Sequence, residues 1–190
     1  MEWTIVRLQV QRSPLKPGRA PTRWYDPTPL QSVASLELGD DGGIGVTEGG
    51  ERVLDVHNRT HPQSRDRKGR SGFSVMGTGD YLALRKTYGP HLADGIAGES
   101  AIVDAPDGLA GSEFPDVMTI RTHDGPLELR GFRVAEPCVE FTRFCLQLPP
   151  DSPVDQTVKD TLKALDGGAR GYKGSATAGG TVRLGDTIAR

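Results

Sequence analysis

Val117-Met118-Thr119-Ile120-Arg121-Thr122-His123-Asp124-Gly125-Pro126-Leu127-Glu128-Leu129, continuing through Val134, sets the fold class of this chain. Val117 to Arg121 and Leu127 to Val134 alternate apolar and polar side chains, the two-residue period of strands with one buried face. Between them Asp124-Gly125 is a hairpin signal, because a tight turn needs residues that tolerate positive φ. The second strand runs into Glu136-Pro137-Cys138, which carries one of only two cysteines.

Working outward, other segments have the same character. Val6, Leu8 and Val10 alternate with Arg7, Gln9 and Gln11 and predict a strand. Ser13 to Pro29 is proline-rich and predicts a loop holding Trp24 and Tyr25. Val33 to Leu38 predicts a second strand that ends at Gly39-Asp40-Asp41-Gly42-Gly43, with short strands at Ile44–Val46 and Arg52–Val56. Phe73 to Met76 and Ala101 to Val103 read as short buried strands. The tail from Arg170 to Ile188 reads as two strands about Gly179-Gly180.

Two helices interrupt this pattern. Thr78 reads as an N-cap, with Tyr81, Leu82, Leu84, Arg85 and Tyr88 at helical spacing before Gly89-Pro90. Asp151-Ser152-Pro153 reads as the start of the other; Val154, Val158, Leu162 and Leu165 form its stripe and Gly167-Gly168 its stop. Many short strands with few helices predict a β-barrel with helical additions.

Composition narrows the function classes. The 190 residues suit one domain over 1–190. With 23 basic against 25 acidic residues, no global field points to nucleic acid or an anionic membrane. The 25 glycines and 14 prolines together stay below the roughly 25–30% at which disorder becomes the default, and signify turns. No uncharged apolar stretch approaches about 18 residues, and the N-terminus reads as lacking a signal peptide. Cys138 and Cys145 support neither a disulfide framework nor a four-cysteine zinc site. A cytoplasmic setting is expected.

The residues that bear chemistry are few. Cys138 follows a proline, where a thiol is a nucleophile, a sulfur carrier, a metal ligand or a small core side chain. His57, Arg59, His61, Arg65, Arg67, Lys68 and Arg70 cluster with only Asp66 opposing them. Such a loop beside a thiol would bind a phosphate or carboxylate and favour the thiolate. His57 and His61 are four apart, a metal spacing on a helix, but Pro62 opposes a helix there. If the strand continued beyond Cys138, Cys145 would face away from it, with no catalytic role expected. Glu99 and Glu140 are expected in surface or turn roles, and His123 in solvent.

The order of four segments resembles the MOSC domain, the C-terminal domain of molybdenum cofactor sulfurases. These are Thr78-Gly79-Asp80-Tyr81 with Leu92 to Gly98-Glu99; Gly108-Leu109; Leu127-Glu128-Leu129 running into Pro137-Cys138; and Gly168-Ala169-Arg170-Gly171-Tyr172 followed by Gly180 to Asp186. The resemblance is strongest over residues 30–190. It implies a mostly-β barrel of the MOSC or pyruvate-kinase-barrel type, with two or three helices packed outside. It further implies that Cys138 carries or transfers sulfur, or ligates molybdenum where the molybdenum cofactor is bound. His61, Arg65, Arg67, Arg133, Arg170 and Lys173 would hold a small anionic ligand or the pterin, and a sulfur donor or molybdoenzyme would be the partner. Other expectations under the same resemblance are a pterin-binding delivery module without chemistry, or carbon–sulfur or N-hydroxyl-reducing chemistry at the same cysteine. The chain departs from the family at His61-Pro62-Gln63, where many relatives have His-Gly-Gly. It departs again at Ala135-Glu136, where an arginine often precedes Pro-Cys, and at Ser100, a common asparagine.

Overall fold

A computed structural model describes residues 2–189. In chain order the elements are β1 (Glu2–Gln11), β2 (Leu30–Ser32), β3 (Ser35–Gly39), β4 (Gly42–Val46), β5 (Arg52–Leu54), β6 (Phe73–Gly77), α1 (Thr78–Tyr88), β7 (Ala101–Val103), β8 (Val117–Thr122), β9 (Gly125–Val134), α2 (Val139–Cys145), α3 (Gln156–Ala164), β10 (Tyr172–Ala176), β11 (Gly180–Arg183) and β12 (Thr187–Ala189). The hairpin of β8 and β9 pairs antiparallel from Val117–Arg130 to Thr122–Gly125, leaving His123 and Asp124 in the turn. Seven strands close in the order β1, β12, β8, β9, β10, β6, β7 and back to β1. Closure removes the unpaired edges that an open sheet of this size would expose. The protein is therefore a mostly-β barrel with three helices outside.

β1 closes the ring because it serves two neighbours in turn. Glu2 to Thr4 pair with β12, and Ile5 to Leu8 pair with β7 across a bulge between Ile5 and Arg7. The bulge reverses the phase of the strand. Trp3 and Ile5 face the core before it, Leu8 and Val10 after it, and Val6 is 48% exposed. The even alternation predicted from Val6 onward is thus wrong at Val6. Gln9 is also buried, because its amide donates to the carbonyls of Gly95 and Glu99 in a loop covering the outer face of β1.

The second sheet, β11-β3-β4-β5, packs Leu36, Leu38 and Val182 into the barrel core beside Ile5, Phe73, Met118, Ile120 and Leu129. Helix capping differs from the sequence expectation by small steps. Gly77, not Thr78, caps α1: the Asp80 carboxylate accepts from Gly77 N–H at 2.8 Å, while the Thr78 hydroxyl accepts from Ala105 N–H. Asp155 caps α3 by accepting from Val158 N–H at 3.0 Å, so the helix begins after the Asp151-Ser152-Pro153 segment and Val154 is exposed.

A second core lies outside the barrel. Tyr81 and Leu84 of α1, Phe141 and Cys145 of α2, and Tyr25 and Leu15 of the 13–29 loop bury one another, with Leu92, Met76 and Ile102 beneath. Burying a side chain of this size contributes about 1.5–3 kcal/mol. This cluster holds the proline-rich loop against α2, and the candidate site opens above it.

Candidate functional site

The path from β9 to α2 determines where the thiol sits. Pro137 restricts Glu136 to extended backbone, and Cys138 is itself extended, with φ −133° and ψ 154°. Cys138 is therefore the N-cap of α2: its carbonyl accepts from Thr142 N–H at 3.0 Å and from the Thr142 hydroxyl at 2.9 Å. The chain beyond Cys138 is a helix, so the facing that a continued strand would give Cys145 does not apply. Val139, Phe141 and Thr142 have strand propensity, but the second core buries Phe141 completely, and burial decides the local structure. The two cysteines consequently lie two turns apart on one side of α2, about 10 Å in rise. That exceeds the ~7 Å Cα separation a disulfide spans. Cys145 is 1% exposed, and burial pushes its thiol up to about 12.

Cys138 is half-buried and lines a cleft of about 260 Å³. Several separate parts of the chain converge there. The 13–29 loop contributes Leu15, Lys16 and Tyr25; the end of β1 contributes Gln11; the basic loop contributes His57, Arg65 and Ser71. Ala97 comes from the loop after α1, and Arg170 and Lys173 from the turn into β10 and from β10 itself. The 13–29 loop is fixed over α2 by the Arg23–Glu140 ion pair at 2.5 Å and by Tyr25 against Phe141 and Phe144, with ring centroids 5.0 and 5.2 Å apart.

The cleft is cationic. Lys173 pairs with Glu136, whose carboxyl is held below its usual range by the lysine's hydrogen bond. Lys16, Arg65 and Arg170 have no carboxylate within ion-pair distance among the described residues. Arg170 is fixed twice: its guanidinium lies 3.7 Å over the Phe141 ring centroid, and Nη1 donates to Ala97 O at 3.0 Å. A cation over an aromatic face in a partly dry site is held by about 2 kcal/mol. Unpaired cations around a thiol, with Arg170 held in place among them, make a site for a small anion bearing, or meeting, a group that reacts with sulfur.

Of the residues predicted for the site, the cleft brings together Cys138, Arg65, Arg170 and Lys173. Three others stand apart from its walls. His61 is 9% exposed and braces its own loop, its Nε2 at 3.1 Å from Arg12 O and its Nδ1 accepting from Gln63 N–H. Arg67 points outward and donates to Pro62 O. Arg133 donates to Arg70 O and to Ser71 Oγ, both at 2.8 Å, and so ties the basic loop to β9 from behind. His57, whose ring nitrogen lies 3.0 Å from Asp55, takes the place at the cleft expected for His61. Lys16 and Tyr25 were missed, since nothing local in a proline-rich loop signals where it docks. Glu99 and Glu140, expected at the surface, are 5% and 8% exposed.

The fold has solved counterparts. The YuaD protein from Bacillus subtilis matches with a TM-score of 0.59 at 15% identity, over 99% of this chain and 94% of that one. A structure described only as a hypothetical protein matches with a TM-score of 0.56 at 13% identity, over 99% of this chain and 67% of that one. At such identities the likeness shows the fold alone. No family model and no curated protein matches the chain. Among the described residues no three His, Cys, Asp or Glu side chains gather where they could hold a metal ion, and no helix is long and apolar enough to cross a membrane.

Proposed function

We propose that the protein is a cysteine-dependent sulfur carrier of the MOSC type, which takes up sulfur at Cys138 and passes it to a small anionic acceptor held in the cationic cleft. The observation that carries this reading is the opening of Cys138 into one cleft with Lys16, Arg65 and Arg170. The Cys138 thiolate attacks the outer sulfur of a donor persulfide; the donor's S–S bond breaks, the donor leaves as a thiolate, and Cys138 keeps the outer sulfur as a persulfide. A nucleophilic acceptor then attacks that outer sulfur, the S–S bond at Cys138 breaks and Cys138 leaves as the thiolate, so neither step needs an external oxidant or reductant. A cleft of about 260 Å³ lies just under the ~300–1,000 Å³ of pockets that enclose drug-sized ligands, which favours a compact acceptor.

The same cations support a second reading, binding and delivery of the molybdenum cofactor to a molybdoenzyme. Lys16, Arg65 and Arg170 suit the cofactor's phosphate, and Cys138 would supply a single thiolate ligand. The pterin would lie partly outside a cleft of this size. When bound, that group would supply oxygen- or sulfur-transfer chemistry at its metal. Elemental analysis separates the readings: stoichiometric molybdenum in purified protein favours delivery.

The sulfur-carrier reading is tested by intact mass. Protein incubated with a small persulfide donor is expected to gain the mass of one sulfur atom, removable by a thiol reductant. Cys138→Ser is expected to gain none. Wild-type protein that gains no sulfur, or Cys138→Ser that still gains it, overturns the reading.

A further inference from the structure

We infer that Glu99 is a positioning residue that makes anion binding in the Cys138 cleft proton-linked: its carboxyl takes up a proton as an anion enters and releases it as the anion leaves. This rests on the anion-cleft reading above and concerns how the cleft is regulated.

The connection is a chain of hydrogen bonds. Glu99 is 5% exposed, and the Tyr81 hydroxyl lies 2.8 Å from each of its carboxyl oxygens. The Tyr81 oxygen accepts from Ala97 N–H at 3.0 Å, and Ala97 O accepts from Arg170, the guanidinium at the cleft. Gln9 fixes the backbone of the same loop through the carbonyls of Gly95 and Glu99, and a carboxyl turned out to water would lose its buried bonds from Tyr81. Among the described residues Glu99 makes no ion pair. A buried carboxyl lacking a counter-ion prefers its neutral form unless nearby positive charge compensates.

The charges facing it come from several elements. Arg7 on β1 and Arg170 ahead of β10 favour the ionised form, while burial opposes it and raises the carboxyl to about 7. Tyr81 on α1 and Tyr25 in the 13–29 loop are phenols pushed up by burial, and both stay neutral near pH 7. An anion beside Arg170 offsets part of the positive field that keeps Glu99 ionised, so proton uptake accompanies binding. By reciprocity a protonated Glu99 leaves the cleft more positive and the anion better held. His57, its ring nitrogen 3.0 Å from Asp55, is the histidine on the cleft wall.

The test uses the ratio of Cys138 alkylation rates by iodoacetate, ionised throughout, and the isosteric neutral iodoacetamide. The thiolate fraction cancels in this ratio, leaving the cleft's preference for charge. From about pH 5.5 to about 8.5 the wild-type ratio is expected to fall through a midpoint near the value of Glu99, by roughly fivefold, the low end of coupling between sites. Glu99→Gln should hold the low-pH ratio throughout. Tyr81→Phe, which removes a hydrogen bond to the ionised form, should move the midpoint up, and His57→Gln should retain the fall. A Glu99→Gln profile that follows the wild type overturns the inference. Should Glu99→Gln fail to fold, an unmoved midpoint in Tyr81→Phe overturns it equally. A wild-type ratio equal to that of a free thiol at every pH would instead sink the anion-cleft reading itself.

Discussion

Asp80 connects the barrel to the site, and its removal has a calculable cost. Its carboxylate accepts from Gly77 N–H at 2.8 Å, from Leu109 N–H at 2.9 and 3.0 Å, and from Ala110 N–H at 3.0 Å. It thereby anchors the start of α1, which carries Tyr81, to the 105–110 loop. Alanine would orphan the Gly77 and Leu109 donors, both buried, while Ala110 N–H can turn to water. Each buried donor left unpaired costs about 1–3 kcal/mol. Loss of an acidic group from the first helical turn adds ~0.3–1 kcal/mol. Asp80→Ala should therefore destabilise by about 2–7 kcal/mol, a large part of the ~5–15 kcal/mol of an ordinary domain. In urea, with a slope near 2 kcal/mol/M, the midpoint should drop by about 1–3.5 M. Asp80→Asn keeps one acceptor oxygen and should fall between. Unfolding followed by tryptophan fluorescence, from Trp3 buried against Phe114 and from the exposed Trp24, reads this. An Asp80→Ala protein within about 1 kcal/mol of wild type, or an asparagine variant no better than alanine, would refute the reasoning.

Three further outcomes are expected. Gly171 has φ +78°, and a Cβ there would lie 2.2 Å from Val75 O and 2.5 Å from Met76 Cγ, so Gly171→Ala should cost about 2–5 kcal/mol and lower Tm by roughly 5–20 °C. Burial raises the Glu99 carboxyl from the ordinary 4.5 to about 7, so the folded protein holds that proton more tightly than the unfolded chain. The resulting stability is full below about pH 4.5 and is lost as pH rises through about 7, by up to ~3 kcal/mol; urea midpoints at the two ends should show this slope in wild type but not in Glu99→Gln. A neutral maleimide should label Cys138 in the native protein and Cys145 only after unfolding, as peptide mapping of the labelled protein would show.

The sequence was most legible where chemistry is local. The β8–β9 hairpin follows from its alternation and from Asp124-Gly125, and Ala101 to Val103 reads as a strand because every side chain in it is apolar. The phase of β1 was not legible, because the bulge at Val6 depends on β1 changing partner from β12 to β7. Nor was α2, where strand-prone residues form a helix because Phe141 is needed in the second core. In the site, Cys138, Arg65, Arg170 and Lys173 were legible as reactive or cationic types near a motif. His57 and His61 were not distinguishable in sequence: which ring faces the cleft depends on Arg12 O taking His61 and Asp55 taking His57. Glu99 looked like a turn residue, and only the approach of Tyr81 and Gln9 from distant segments buries it.

The central claim is that Cys138 reacts within a cleft that gathers small anions. It is tested most directly by the iodoacetate-to-iodoacetamide rate ratio at Cys138 in the native protein, divided by the same ratio for N-acetylcysteine. At low salt the normalised ratio should exceed one by about tenfold or more, shrink as ionic strength rises, and collapse toward one in Arg170→Met. A normalised ratio at or below one in folded wild-type protein would contradict the account.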